Sequence, residues 1–79
     1  MRSLDRTSTQ ILAAVAREPL TPGQIARQHN IPVVECWHRV RRLEDLGLLR
    51  LVLVHVTSDG RTLRFFQALV SEEALVRGR

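Results

Sequence analysis

The amino-acid sequence predicts a small α+β domain, in which a three-helix core is followed by an antiparallel β-hairpin and a short C-terminal helix. Two features carry this prediction. The segment 21–49 has the signals of two short helices joined by a tight turn. The dipeptide Asp59-Gly60 lies between two runs rich in Leu, Val, Phe and Thr, which is a strong signal for a hairpin turn.

The first helix is expected at about residues 8–18. Ile11, Leu12 and Val15 have helical spacing, and the hydroxyl residues of segment 7–9 are the expected cap. Pro19 disfavours helix in the residue before it, so the helix should end by Glu18. Leu20 is then expected to be extended and able to pair with a later strand.

The second helix is expected at about residues 22–29. Thr21 is the candidate N-cap and Pro22 the first helical residue, with Gln24 three positions after the cap. This is the T-x-x-Q capping box, with proline where a missing N–H costs nothing. Asn30 tolerates the left-handed conformation that lets the chain leave the helix.

The third helix is expected at about residues 32–46, beginning at Ile31-Pro32 and closing at Gly47. Its apolar positions recur in steps of four, three and three residues and predict one buried stripe: Cys36, Val40, Leu43 and Leu46. A short helix, a tight turn and a second helix form a helix-turn-helix unit, whose second helix commonly lies in the DNA major groove.

The hairpin is expected at about residues 49–70, with Asp59 and Gly60 as a two-residue loop. This loop predicts three cross-strand pairs: Ser58 with Arg61, Val56 with Leu63, and Val54 with Phe65. Segment 71–77 is expected to form the short terminal helix, because Ser71 can cap it and two glutamates follow.

The composition is that of one globular domain. Of the 79 residues, 44% are hydrophobic and 25% are charged. The single cysteine allows no intramolecular disulfide, zinc-finger spacing is absent, and we expect no metal and no cofactor. The apolar run Leu51–Val54 is far too short for a membrane span, and no signal peptide is evident. We therefore expect a cytoplasmic protein.

All 12 basic residues are arginine, and the formal net charge is +4. This balance favours anionic partners, nucleic acid first and an anionic membrane second. A G/C-rich genome is an alternative explanation for the absence of lysine, but it does not remove the charge. Because the charge is spread along the chain, any phosphate-binding face must be assembled by folding.

With these elements in this order, the chain resembles a winged helix-turn-helix domain of ArsR-like and MarR-like transcriptional regulators. The resemblance rests on segments 20–26 and 42–49, on the Cys36/Val40/Leu43 spacing and on the hairpin tip at residues 59–61. The Cys-Val-Cys-type metal motif of arsenic repressors is missing. The resemblance implies that the third helix, the recognition helix, lies in the major groove and that the hairpin, the wing, contacts backbone or minor groove.

Double-stranded DNA is therefore the expected partner. At 100° per residue, the side of the third helix opposite Cys36, Val40 and Leu43 is available for contact, and its arginines suit phosphate or guanine. Valine can touch a thymine methyl group, and Glu35 can accept from cytosine. The candidate DNA-binding residues are Gln24, Val34, Trp37, His38, Arg41, Arg42, Arg61 and Arg64.

Several alternatives remain open from sequence. Val33, Val34 and Trp37 could instead form an apolar patch that contacts protein in a larger complex, for example of the transcription machinery. Trp37 could pack against the wing or Pro22, stack on a sugar or base, or anchor a protein partner. Cys36 fits an inert position in the core better than a sensor.

No catalytic residues are predicted, because the sequence has no G-x-S-x-G, P-loop or dinucleotide-binding glycine pattern. A homodimer is expected, because the predicted hairpin is apolar on both faces near its base. In the predicted register, one face carries Val52, Val54 and Val56, and the other carries Leu49, Leu51, Leu53 and Phe66. The alternative is a monomer whose first and last helices cover both faces.

Overall fold

The computed structural model describes residues 4–69 of the chain. Three helices are followed by two antiparallel strands, which confirms the predicted α+β fold. The elements are α1 (Arg6–Arg17), α2 (Pro22–His29), α3 (Val33–Asp45), β1 (Leu49–Val56) and β2 (Thr62–Ala68). The predicted helix at 71–77 lies outside the described residues.

Helix α1 begins earlier than the sequence predicts, because its cap is Asp5 and not a hydroxyl residue of segment 7–9. The Ser8 N–H donates to Asp5 Oδ1 at 2.9 Å. A carboxylate at this position also interacts favourably with the helix dipole. The second carboxylate oxygen of Asp5 accepts from the Arg39 guanidinium of α3, so one side chain caps α1 and ties it to α3.

This double role makes the stability of the fold depend on the charge of Asp5. Hydrogen bonds from the Ser8 backbone and the Arg39 side chain lower the pKa of Asp5 from 3.8 to about 2. Because the pKa of Asp5 is lower in the folded state, the ionised carboxylate stabilises the fold. This stabilisation is complete above a pH of about 4 and is lost as the pH falls through about 2.

Replacing Asp5 with asparagine should therefore flatten the acid side of the stability profile. We expect the wild-type melting temperature to fall more steeply than that of D5N between pH of about 4 and about 2. Thermal unfolding followed by circular dichroism measures both profiles. The matched control is D45N, at an exposed carboxylate of α3, which should keep the wild-type slope. Parallel profiles for wild type and D5N would contradict this account.

The ends of α2 and α3 are set by local hydrogen bonds. The Gln24 N–H donates to Thr21 Oγ1 at 3.1 Å and the Thr21 N–H donates to Gln24 Oε1 at 2.9 Å, so the capping box is formed. Asn30 takes the left-handed conformation, with φ 56° and ψ 47°. Gly47, with φ 78°, ends α3 in a Schellman motif, in which the Leu48 N–H donates to the Leu43 carbonyl at 3.0 Å.

The predicted hairpin register is wrong by one residue. Val56 pairs with Thr62 and not with Leu63, and Val54 pairs with Arg64 and not with Phe65. The reason is a three-residue loop, 58–60, closed by a hydrogen bond from the Thr57 N–H to the Arg61 carbonyl at 2.7 Å. Gly60 has φ 89°, the left-handed conformation that ends such a loop. The Thr57 hydroxyl also accepts from the Arg61 N–H at 3.0 Å, which stabilises the turn.

A β-bulge changes the register again nearer the helices. Leu51 pairs with Phe66 and Leu53 pairs with Phe65, so Val52 is an extra residue on β1. Side chains alternate along β2, and cross-strand partners share a face. Leu53 therefore lies on the face opposite Phe66, whereas the sequence predicted one common face.

The core lies between the three helices and the base of the hairpin. Leu20 follows α1 and pairs with β2, as its expected extended conformation allows. Its N–H donates to the Phe66 carbonyl at 3.1 Å, and its carbonyl accepts from the Phe66 N–H at 2.8 Å. The buried apolar residues are Ile11, Leu12, Val15, Leu20, Ile25, Ala26, Cys36, Val40, Leu43, Leu49 and Phe66.

The buried stripe of α3 is shorter than predicted. Cys36, Val40 and Leu43 are buried, but Leu46 is 52% exposed because the helix ends at Asp45 and the chain turns away. Burial, helped by the nearby charge of Glu35, raises the pKa of the Cys36 thiol to about 11. Cys36 therefore remains a protonated thiol at neutral pH and packs in the core. Among the described residues, no helix is long and apolar enough to cross a membrane.

Candidate nucleic-acid interface

One side of α3 is exposed along the whole helix. We call this surface the α3 strip; it consists of Val34, His38, Arg41, Arg42 and Asp45, all of which are exposed. It lies opposite the buried stripe, as 100° steps require. His38, Arg41, Arg42 and Asp45 also line one shallow hollow. The strip therefore combines a cationic middle with an apolar start at Val34.

A groove runs between the N-terminus of α2, the Trp37 side chain and strand β2. We call it the wing groove; its volume is about 430 Å³. It brings together four of the candidate residues, which come from three separate elements: Gln24, Trp37, Arg61 and Arg64. It also contains Arg27, which the sequence analysis missed. The available signal was its position three residues after Gln24, on the same face of α2.

The α3 strip and the wing groove are continuous. A hollow of about 340 Å³ between α3 and the hairpin is lined by Trp37, Arg41 and Arg64, among other residues. Trp37 and Arg64 also line the wing groove, and Arg41 belongs to the α3 strip. The fold therefore joins all eight candidate residues in one surface, which we call the candidate interface.

The charge of this surface is mostly uncompensated by ion pairs. Among residues 4–69, no ion pair involves Arg27, Arg41, Arg42 or Arg64, and all four side chains are exposed. Arg61 differs, because its Nε lies 3.5 Å from Asp59 Oδ2 at the tip of the hairpin. That pair is highly exposed, so it is weak and easily exchanged for a phosphate contact.

Glu35 forms an ion pair with Arg39 within α3. Its Oε2 accepts from Arg39 Nε at 3.0 Å, one helical turn further along α3. Arg39 also donates to Asp5 and, at 3.3 Å, to Ser8 Oγ, so it is directed towards α1. Because Arg39 is shared with Asp5, it offsets only part of the negative charge of the carboxylate that follows the two valines at the start of α3.

Trp37 packs against the hairpin, which confirms the packing interpretation of this residue. Its ring lies edge-to-face on Phe66, with 6.4 Å between centroids and an interplanar angle of 90°. Trp37 also forms a wall of the wing groove, which Pro22 lines too. The half-buried ring holds α3 against β2, and its stacking on a sugar or base stays a prediction.

Gln24 has only part of its side chain available. Its Oε1 accepts the Thr21 N–H in the capping box. The amide nitrogen is then the group that Gln24 can offer to a phosphate oxygen at the wing groove. The described residues contain no group of three or more His, Cys, Asp or Glu side chains placed to hold a metal ion.

This fold defines a winged helix-turn-helix domain. Helices α2 and α3 form the helix-turn-helix unit, α1 precedes it, and the hairpin packs beside α3. Solved structures agree with this assignment. ZitR from Lactococcus lactis, a zinc-responsive MarR family member, has a TM-score of 0.77 at 17% identity, covering 96% of this chain and 51% of ZitR. AdcR, the adhesin competence repressor of Streptococcus pyogenes, has a TM-score of 0.77 at 17% identity, covering 96% and 53%.

A structure of wild-type ZitR in complex with DNA is similar as well, with a TM-score of 0.71 at 21% identity, covering 96% of this chain and 48% of that one. The transcriptional regulatory protein DoeX from Halomonas elongata is 40% identical over 47 residues, which are 58% of this chain and 30% of DoeX. No protein-family model matches the chain. The resemblance to winged helix-turn-helix domains of the MarR-like type is thus confirmed for the fold, and the chain spans about half the length of the solved relatives.

Proposed function

We propose that the chain binds double-stranded DNA and, in the cytoplasm, regulates transcription. The observation that carries this proposal is the candidate interface, where four exposed arginines that form no ion pair within residues 4–69 line one continuous surface of α2, α3 and β2. The DNA complex of ZitR and the regulatory name of DoeX support the same role, and neither name is that of an enzyme.

In this proposal α3 enters the major groove and the hairpin serves as the wing. An α-helix fits the width of the major groove, so the exposed α3 strip can approach base edges while its opposite side stays in the core. Arg41 and Arg42 would contact phosphate or guanine, because the guanidinium group suits both. Arg27, Arg61 and Arg64 would hold the backbone on the side of the wing groove.

Affinity for random duplex DNA, titrated against salt, tests the proposal. We expect detectable binding at about 50 mM salt and a steep loss by about 200 mM, because each neutralised phosphate releases counterions. If all five arginines bind phosphate, the log–log slope should be about −4.5. Absence of binding even near 50 mM salt would contradict the proposal.

That negative result would favour a second function, a winged helix that binds protein. Its support is the exposure of two apolar side chains at the start of α3, since Val33 is 50% and Val34 is 67% exposed. Together with the half-buried Trp37, they would form the contact patch in a larger complex. Binding to such a partner should depend only weakly on salt, because an apolar patch releases few ions.

We further propose that the chain forms a homodimer through the hairpin. Its exposed apolar residues exceed what a solvated ribbon needs: Leu51, Val52, Leu53, Val54 and Val56, followed by Leu69. Leu53 is 54% exposed and lies on the face away from the buried Phe66. A twofold dimer would present two α3 helices to half-sites about 34 Å apart.

Replacing Leu53 with glutamate should dissociate this dimer without unfolding the protomer, because the side chain is outside the core. S58E, at the tip of the same hairpin, is the control and should leave the dimer intact. Sedimentation at tens of micromolar protein distinguishes the two states. A wild-type species near 9.0 kDa would contradict the dimer. Phe66 is only 4% exposed, so a charge there would unfold the domain and test nothing about assembly.

A further inference from the structure

The first turn of α3 offers apolar groups where a DNA-binding helix meets base edges. Val34 is 67% exposed, more than any other large apolar side chain among residues 4–69. Its neighbour Val33 is 50% exposed. Pro32 is the N-cap, and no side chain caps the helix there. The start of α3 therefore presents two valines beside a proline.

The polar side chain nearest to this turn is already engaged. Glu35 accepts from Arg39 at 3.0 Å, and Arg39 is itself held by Asp5 and Ser8 of the α1 N-terminus. One oxygen of the Glu35 carboxylate is therefore engaged within the protein, and the two exposed valines are the apolar groups that the first turn offers.

Val34 is aligned with cationic and polar neighbours. His38 and Arg41 follow it on the α3 strip, at about 6 Å and about 10 Å along the helix axis. Charge complementarity then favours a nucleic acid over a protein as the occupant of this strip, because Arg41 and Arg42 flank the same face.

We propose that Val34 is a specificity-determining residue that recognises the C5-methyl group of a thymine in the major groove. This inference rests on the proposed DNA-binding function. Thymine is the standard base with a methyl group on the major-groove edge, and an apolar side chain can distinguish it by contact alone. His38 and Arg41 would contact bases further along the same site.

The test removes only the methyl group. Preferred duplexes are selected from a random pool with the full chain, and each thymine is then replaced in turn by deoxyuridine, which keeps every hydrogen-bonding group. At one position we expect about fourfold weaker binding, as the loss of one buried methyl group predicts. In V34A, the affinities for the thymine and deoxyuridine duplexes should become equal at that position.

The matched control is L46A, because Leu46 is an apolar side chain that is 52% exposed and lies beyond the end of α3, outside the α3 strip. This variant should keep the fourfold difference. A wild-type protein that is indifferent to deoxyuridine at every thymine, or a V34A variant that keeps the difference, would overturn the inference. Binding without any preferred sequence overturns the inference but leaves DNA binding standing, whereas no duplex binding at all overturns both.

Discussion

Replacing Arg41 and Arg42 together with alanine should weaken binding to random duplex DNA roughly thirtyfold or more at about 50 mM salt, because each lost phosphate contact also removes its counterion release. Both arginines are exposed on the α3 strip and make no ion pair among the described residues. If both bind phosphate, the log–log salt slope should also become shallower by about two. Fluorescence anisotropy with a labelled duplex measures affinity and slope in one titration.

The control for this double variant is R17A. Arg17 lines a separate hollow between α1 and α2, together with Gln28 and His29. It carries the same charge but lies outside the candidate interface, so its removal should leave the slope nearly unchanged. If R17A lost half as much binding free energy as the double variant, the loss for each removed charge would be equal. DNA would then respond only to net charge, which would contradict a specific interface on α3.

Replacing Leu43 with alanine should lower the free energy of unfolding by about 2–5 kcal/mol. Leu43 is 1% exposed and belongs to the buried stripe of α3 that faces the core. A domain of this size typically has only about 5–15 kcal/mol of stability, so the loss would be a large part of the total. Urea denaturation followed by circular dichroism measures it.

The chain supplies a matched control three residues further on. Leu46 is 52% exposed because α3 ends before it, so L46A should change the free energy of unfolding by less than about 0.5 kcal/mol. The sequence pattern alone gives both leucines the same buried role. Equal destabilisation by L43A and L46A would show that α3 continues through Leu46 and would contradict the described helix end.

Several features set by nearby residues were predictable from the sequence. The Thr21–Gln24 capping box, the left-handed Asn30 and the Gly47 helix end all involve residues within five positions of one another. The buried stripe at Cys36, Val40 and Leu43 follows from helical periodicity in the same way. These local signals were sufficient to predict three helices and a hairpin in the observed order.

The choice between alternative turns and the contacts between distant residues were not predictable. The hairpin register depends on a side-chain hydrogen bond within the loop and on a bulge at Val52. Alternation of apolar and polar residues specifies neither of them here, because the hairpin is apolar on both faces. The contact between Asp5 and Arg39 joins residues 34 positions apart. Arg27 was not predicted, because its spacing from Gln24 shows only a shared helix face and folding brings that face next to β2.

Mapping the DNA contact residue by residue tests the central claim most directly. The 15N-labelled chain is titrated with a random duplex at about 50 mM salt and followed by amide and indole resonances. We predict that the Trp37 indole signal and the amides of Arg41 and Arg64 shift or broaden first, while Gln28 and His29 stay unchanged. Changes confined to the hollow at Gln28 and His29, with Trp37 and Arg41 unaffected, would contradict a DNA interface on α3 and the wing groove.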